Sequence, residues 1–128
     1  MDELKSDLFT PSNYYVLLGY GAINGSNRVL VSLGNNNISD YDFLWVGTSY
    51  YNQGVATYGC TLVPVLCMQM LFSGDAGVCF MSRDSTNAGV MPINVRYNST
   101  TNSIEFMPTG TPNGNYYYIN GVKIRTAN

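Results

Sequence analysis

The chain has 128 residues, 45% of them hydrophobic, 11% charged and none histidine. It therefore fits one domain with a real core, and it cannot use Ser-His-Asp or Cys-His catalysis or any histidine-containing zinc site. The net charge of -2 comes from a crowded start (Asp2, Glu3, Lys5, Asp7), because from residue 8 onward five basic side chains face five acidic ones; a neutral body has no basic patch for nucleic acid.

No apolar run approaches the ~20 residues that cross a bilayer, and the acidic amino terminus does not read as a signal peptide, so neither membrane insertion nor secretion is expected. Asn, Ser, Thr and Gly fill 49 positions, giving a neutral amide and hydroxyl surface unlike that of a charged disordered chain.

In chain order, residues 2–8 (DELKSDL) are the one helical stretch, with Leu4 and Leu8 on one face. Seven residues are too few for an isolated helix, so the segment is either a frayed leader or the end of a coiled coil. Thr10-Pro11 stops it. We therefore assign residues 1–10 to a leader and 11–128 to one β domain.

Strands are expected at Tyr14–Tyr20 and Arg28–Leu33, joined by a Gly- and Asn-rich turn, and at Phe43–Tyr51. Tyr58–Phe72 is the most apolar segment. Its run from Leu62 to Phe72 is apolar in both parities, which predicts a strand covered on two sides or lying against another subunit. Pro64 within it predicts a bulge or a sheet edge.

Val78–Ser82 is short and apolar, and Pro92–Tyr97 and Ser103–Met107 alternate as a hairpin. In Tyr116–Arg125, Asn120-Gly121 reads either as a two-residue turn or as a bulge in one long strand. About eight short strands predict an all-β fold, a β-sandwich of jelly-roll type. Cys60, Cys67 and Cys79 are odd in number among apolar neighbours and are expected to be free, buried thiols.

Asp40 and Asp42 form the one close acidic pair, and carboxylates at this spacing could reach the separation that glycosidases use. Their Asn- and Ser-rich surroundings predict a solvated turn instead. Gly19-Tyr20-Gly21 departs from a phosphate-loop spacing and reads as a turn. Asp40, Asp42, Asp75 and Asp84 belong to no calcium-loop pattern, so no metal and no cofactor is expected.

Trp45, Tyr50, Tyr51, Tyr58 and Tyr116-Tyr117-Tyr118 combine apolar rings with polar edges. Rings beside neutral amides suit saccharide binding, although tyrosine also packs well in strands. Loops 49–57 and 82–88 are the best equipped, and Tyr50, Tyr51, Asn52, Gln53, Arg83 and Asp84 are the expected ligand-binding residues.

The order of blocks is distinctive: an ELKSDL leader, a Tyr-rich strand, RVLVSL, ISDYDFLWVG, a central VPVL and a closing INGVKIR. This order resembles the carboxy-terminal head domains of bacteriophage tail fibres and related receptor-binding proteins. The resemblance implies a homotrimer at a virion fibre tip that adsorbs to a bacterial surface glycan or protein receptor. It also implies one closing strand through Ile119-Asn120-Gly121-Val122-Lys123 and a leader that ends a shaft. Binding loops vary among such heads, so no receptor-contacting residue carries over.

Leu4, Leu8, Val63, Val65, Leu66, Met68 and Met70 are the expected subunit-facing residues. The resulting expectation is a non-enzymatic head that binds a receptor, with saccharide as the leading ligand class. Two alternatives stay open: a purely structural virion or adhesin domain, and a glycan-cleaving enzyme using Asp40 and Asp42.

Overall fold

A computed structural model of the protein describes residues 15–50, 54, 56–70 and 78–124. The expected leader with Leu4 and Leu8 lies outside the described residues, as do Tyr51, Asn52 and Gln53.

Among the described residues eight strands form: β1 (Tyr15–Ala22), β2 (Val29–Ser32), β3 (Phe43–Ser49), β4 (Gly59–Pro64), β5 (Val78–Arg83), β6 (Val90–Asn98), β7 (Ser103–Pro108) and β8 (Tyr116–Val122). They make two antiparallel four-stranded sheets, ordered β1-β8-β3-β4 and β2-β7-β6-β5. Alternate residues of a strand share a face. Val31, Ile93, Val95, Ile104 and Phe106 of one sheet thus enter a common core with Leu44, Val46, Val63, Tyr117 and Ile119 of the other. The protein is all-β, with the two-sheet arrangement of a β-sandwich. Among the described residues no helix is long and apolar enough to cross a membrane.

The Phe106 and Tyr117 rings stack across the core with centroids 4.3 Å apart. Tyr117 is fully buried, and its hydroxyl has no hydrogen-bond partner among the described residues. Burial pushes that hydroxyl up to a pKa of about 12.

β8 runs as one strand through Asn120 and Gly121, pairing with β1 on one side and β3 on the other. Gly121 is therefore not a turn glycine. A Cβ there would come within 2.5 Å of the Tyr41 ring, so the residue is needed for close approach. The bulge lies in β1 instead, where pairing shifts between Leu17 and Gly19 and Leu18 is buried in the core.

The apolar run after Tyr58 is not one two-faced strand. β4 ends at Pro64, on the sheet edge where a residue without an N–H is tolerated, and a short helix α1 (Val65–Met70) follows. Val65 and Met68, three apart, are 5% and 0% exposed, whereas Leu66 is 67% exposed and Cys67 is also exposed. Apolarity in both parities was thus a helical period, assisted by Leu and Met, which favour helices. Val63, Val65 and Met68, expected at a subunit contact, belong to the protomer's own core. The three cysteines are free as expected, but they are exposed rather than buried.

The strand directions divide the connections between two ends. At one end lie segments 23–28, 84–89 and 109–115, together with Tyr50, Thr57 and Tyr58 of the β3–β4 connection, tied by Ile23 N–H to Asn115 O (2.9 Å) and Asn113 N–H to Arg83 O (2.9 Å). At the other end lie the start of β1, segment 33–42 and α1, joined by Val65 N–H to Asp42 O (2.9 Å). There Asn102 also donates to Gly34 O and Asn36 O, at 3.1 and 2.8 Å.

Two stability outcomes follow from the buried polar groups. Tyr117→Phe removes a hydroxyl that bonds nothing, so unfolding free energy should stay level or rise by up to about 1 kcal/mol, whereas Tyr117→Ala should lose about 3–5 kcal/mol. Urea titration of the two variants checks both values.

The second concerns Glu105, whose side chain is 3% exposed on the outer face of β7. Burial raises its pKa, but the Asn98 amide and the Arg96 and Arg28 guanidinium groups outweigh that and hold the carboxyl below its ordinary value. Its contribution is therefore complete above the unfolded value of about 4.5 and fades as pH falls through the lower folded value. Glu105→Gln should be destabilised at pH 7, and its deficit against wild type should shrink in denaturation series carried below pH 4.5.

Candidate functional site

Three of the four connections at the first end build the cluster, and two of them start at a strand end that supplies one of its residues. β3 delivers Tyr50 just beyond Ser49, and β5 delivers Arg83 as its last residue. Beneath them, Thr48 Oγ1 and Ser82 Oγ share a buried 2.8 Å hydrogen bond that ties the two sheets together. The floor of the site is therefore rigid, because both strand ends are fastened to each other inside the core.

The β5–β6 loop is built by its own side chains. The Asp84 carboxylate accepts from the Thr86 hydroxyl and from the N–H groups of Thr86 and Gly89, a short-range turn of the kind Asp favours. The Thr86 hydroxyl, with these backbone donors behind it, holds the Asp84 carboxyl below its usual range. The turn places Asn87 in the left-handed region at φ +61°, which Asn tolerates better than most residues. From there Asn87 Oδ1 accepts from Arg83 at 2.8 Å and from Asn113 Nδ2 at 3.1 Å.

The third loop closes the cluster. Gly114 takes φ +125°, where a side chain would be strained and would meet Ser49 O, so Asn115 can turn back. Asn115 then donates its backbone N–H to Ser49 O at 2.9 Å and its amide to Tyr50 O at 2.6 Å.

On this frame the Tyr50 ring stacks on Tyr58, with centroids 5.8 Å apart and planes at 24°. The Arg83 guanidinium carbon sits 5.4 Å from the centre of the Tyr58 ring. Tyr50 is 42% exposed, and Arg83 is also exposed. The product is an accessible aromatic ledge with a cation against it and carboxamides behind it. Such a ledge can stack on the apolar face of a sugar ring and donate hydrogen bonds to its substituents.

Of the expected ligand-binding residues, Tyr50 and Arg83 are brought together, and Asp84 shapes the loop between them. Tyr58, one of the rings singled out in the sequence, and Asn87, from the well-equipped 82–88 loop, join the cluster, and Asn113 and Asn115 complete it without having been expected there. Asn113-Gly114-Asn115 reads as a turn, but no local pattern says which other loop that turn will meet.

The acidic pair is elsewhere. Asp40, itself exposed, closes a 3-10 turn (Ile38–Asp40) whose start is capped by Asn37. Asp42 Oδ2 accepts from Ile124 N–H at 2.7 Å. Both lie at the end opposite the tyrosine cluster, and Asp42 fastens the chain after β8.

Outer faces offer two further surfaces. On the β1-β8-β3-β4 sheet, Tyr20 packs with Tyr116 and Tyr118, and a hollow of about 290 Å³ is lined by Trp45, Cys60, Thr61, Leu62 and Val122. On the other sheet, Glu105 gathers Arg96 Nε at 2.6 Å, Arg28 at 3.4 Å and Asn98 Nδ2 at 3.0 Å.

Asn87 holds two loops from a left-handed backbone, and its substitution should reveal that. Asn87→Ala should cost about 1–3 kcal/mol through two lost bonds and the backbone penalty, and Asn87→Gly should cost less because the penalty disappears. Chemical denaturation of the pair gives the comparison. Searches of protein-family models, curated proteins and solved structures return no match to this chain.

Proposed function

We propose that this chain is the receptor-binding head of a bacteriophage tail fibre, a homotrimer at the fibre tip that attaches to a bacterial surface saccharide through Tyr50, Tyr58 and Arg83. The observation that carries this reading is the placement of the tyrosine–arginine ledge. It lies at the end of the sandwich opposite the start of β1, the end that a shaft entering through the leader would present to a cell. The cluster pairs rings with a cation and amides and holds no nucleophile–base pair, which favours adhesion over catalysis. The finer jelly-roll assignment is supported by β8 lying between β1 and β3 while β7 lies beside β2.

Trimer contacts are assigned to apolar side chains that the protomer leaves outside: Leu17 at 42%, Leu62 at 54% and Leu66 at 67% exposure. A purely structural domain is the second reading. It is favoured by the way Asn87, Asn113 and Asn115 already satisfy one another and the adjacent backbone.

Light scattering of the whole chain should give three times the 14.1 kDa protomer mass; a monomeric mass would remove the trimer. In whole-cell binding, Tyr58→Ala should weaken attachment to a susceptible host about tenfold or more while leaving the assembly intact. Unchanged attachment would favour the structural reading.

A further inference from the structure

The ledge carries a charge whose surroundings are uneven. Among the described residues the two ion pairs join Arg28 and Arg96 to the same carboxylate, Glu105. Arg83 has no carboxylate among the described residues within ion-pair distance. Its contacts are the neutral Asn87 amide oxygen and the face of Tyr58. The adjacent Asp84 does not fill this role, because its carboxylate is committed to Thr86 and Gly89 in its own turn. A guanidinium has five donors in a planar fork that fits a carboxylate with two parallel bonds, and among the described residues one of them is engaged, by Asn87.

Resting on the saccharide reading above, we infer that the ligand of this ledge is an acidic saccharide, with its sugar ring against Tyr50 and Tyr58 and its carboxylate on Arg83. The stack of Tyr58 beneath the guanidinium holds the fork in place before a ligand arrives, so less side-chain freedom is lost on binding. One cation serves one carboxylate. A phosphate-rich polymer would call for a basic patch, and the loops at this end (23–28, 50–58, 84–89 and 109–115) contain no lysine and only Arg28, already paired with Glu105.

The test is a nuclear magnetic resonance titration of the full chain, reading the Arg83 Nε–H and the Tyr50 and Tyr58 ring signals. Glucuronate, galacturonate and N-acetylneuraminate are compared with glucose, galactose, N-acetylglucosamine, glucose 1-phosphate and acetate. At least one acidic sugar should bind about tenfold more tightly than its neutral counterparts, shifting the Arg83 and ring signals together. Arg83→Gln should reduce it to the neutral level, and Arg83→Lys should retain part of the preference.

Equal binding of acidic and neutral sugars overturns the inference and leaves the saccharide reading standing. So does a preference that survives Arg83→Gln. Tighter binding of glucose 1-phosphate replaces the carboxylate by a phosphate, and acetate as effective as the acidic sugars reduces the effect to ion pairing without a ring; either outcome also overturns it. If no sugar gives a saturable shift, the saccharide reading fails and the inference fails with it.

Discussion

The structure depends on β8 being inserted between β1 and β3. Its backbone bonds to neighbours on both sides, and from Tyr117 to Val122 every residue is buried. Tyr117 stacks on Phe106 of the opposite sheet, so the strand that closes one sheet is also the strand that joins the two layers. β8 pairs residues near the chain's start with residues near its end, Tyr15 with Val122 among them. Such contacts carry the entropy cost of closing a long loop. The loops at the ledge inherit their positions from it: Tyr116 sits opposite Ala22 and Ser49, which sets where Ile23, Asn115 and Tyr50 emerge.

The outward face of β8 is covered by the chain's own β3–β4 connection. Asn120 Nδ2 donates to Gly54 O at 2.9 Å, and a Cβ on Gly47 would meet Ala56 at 2.8 Å. Gly47 leaves the gap into which Ala56 settles, and the connection then returns to β4 with Thr57 and Tyr58 N–H groups both on Thr48 O at 2.9 Å. Tyr58 thereby comes to rest against both Tyr50 and Arg83. Gly47 and Asn120, outside the ledge, thus help to place Tyr58 in it. Asn120 Oδ1 has no partner among the described residues, a local cost that the surrounding ladder outweighs.

Alternation made Arg28–Leu33, Pro92–Tyr97 and Ser103–Met107 legible, because each has one face in the core and one outside, and those faces carry different chemistry. β8 and the 58–72 segment resisted the same logic. β8 is buried on both faces, and Gly121 owes its identity to Tyr41, distant in sequence, rather than to a turn. In 58–72 a strand passes directly into a helix at Pro64, and two periods within one apolar run look like no period at all.

The asparagines misled differently. Their abundance suggested a saccharide palette, yet Asn36, Asn37, Asn98 and Asn102 spend their amides on turns and on Glu105. The ledge was half legible: Tyr50 and Arg83 stood out as loop residues, but the tyrosine and carboxamides that unite them come from loops whose meeting depends on topology.

Charge neutrality read from composition does not hold point by point. Of the acidic side chains in the β domain, Asp42 is occupied by Ile124 N–H, Asp84 by its own turn and Glu105 by two guanidinium groups on the outer face of a sheet. Each of these carboxylates has been assigned a structural partner. The arginines are not so evenly consumed, because two of them share Glu105 while Arg83 is left with an aromatic face and an amide. Screening shortens the reach of exposed charges to about 8–10 Å at physiological salt, so the potential at the ledge follows the local arrangement rather than the sum over the chain. A domain with balanced charges can in this way present a single positive point beside two stacked rings, at the end of the sandwich that its closing strand has put in order.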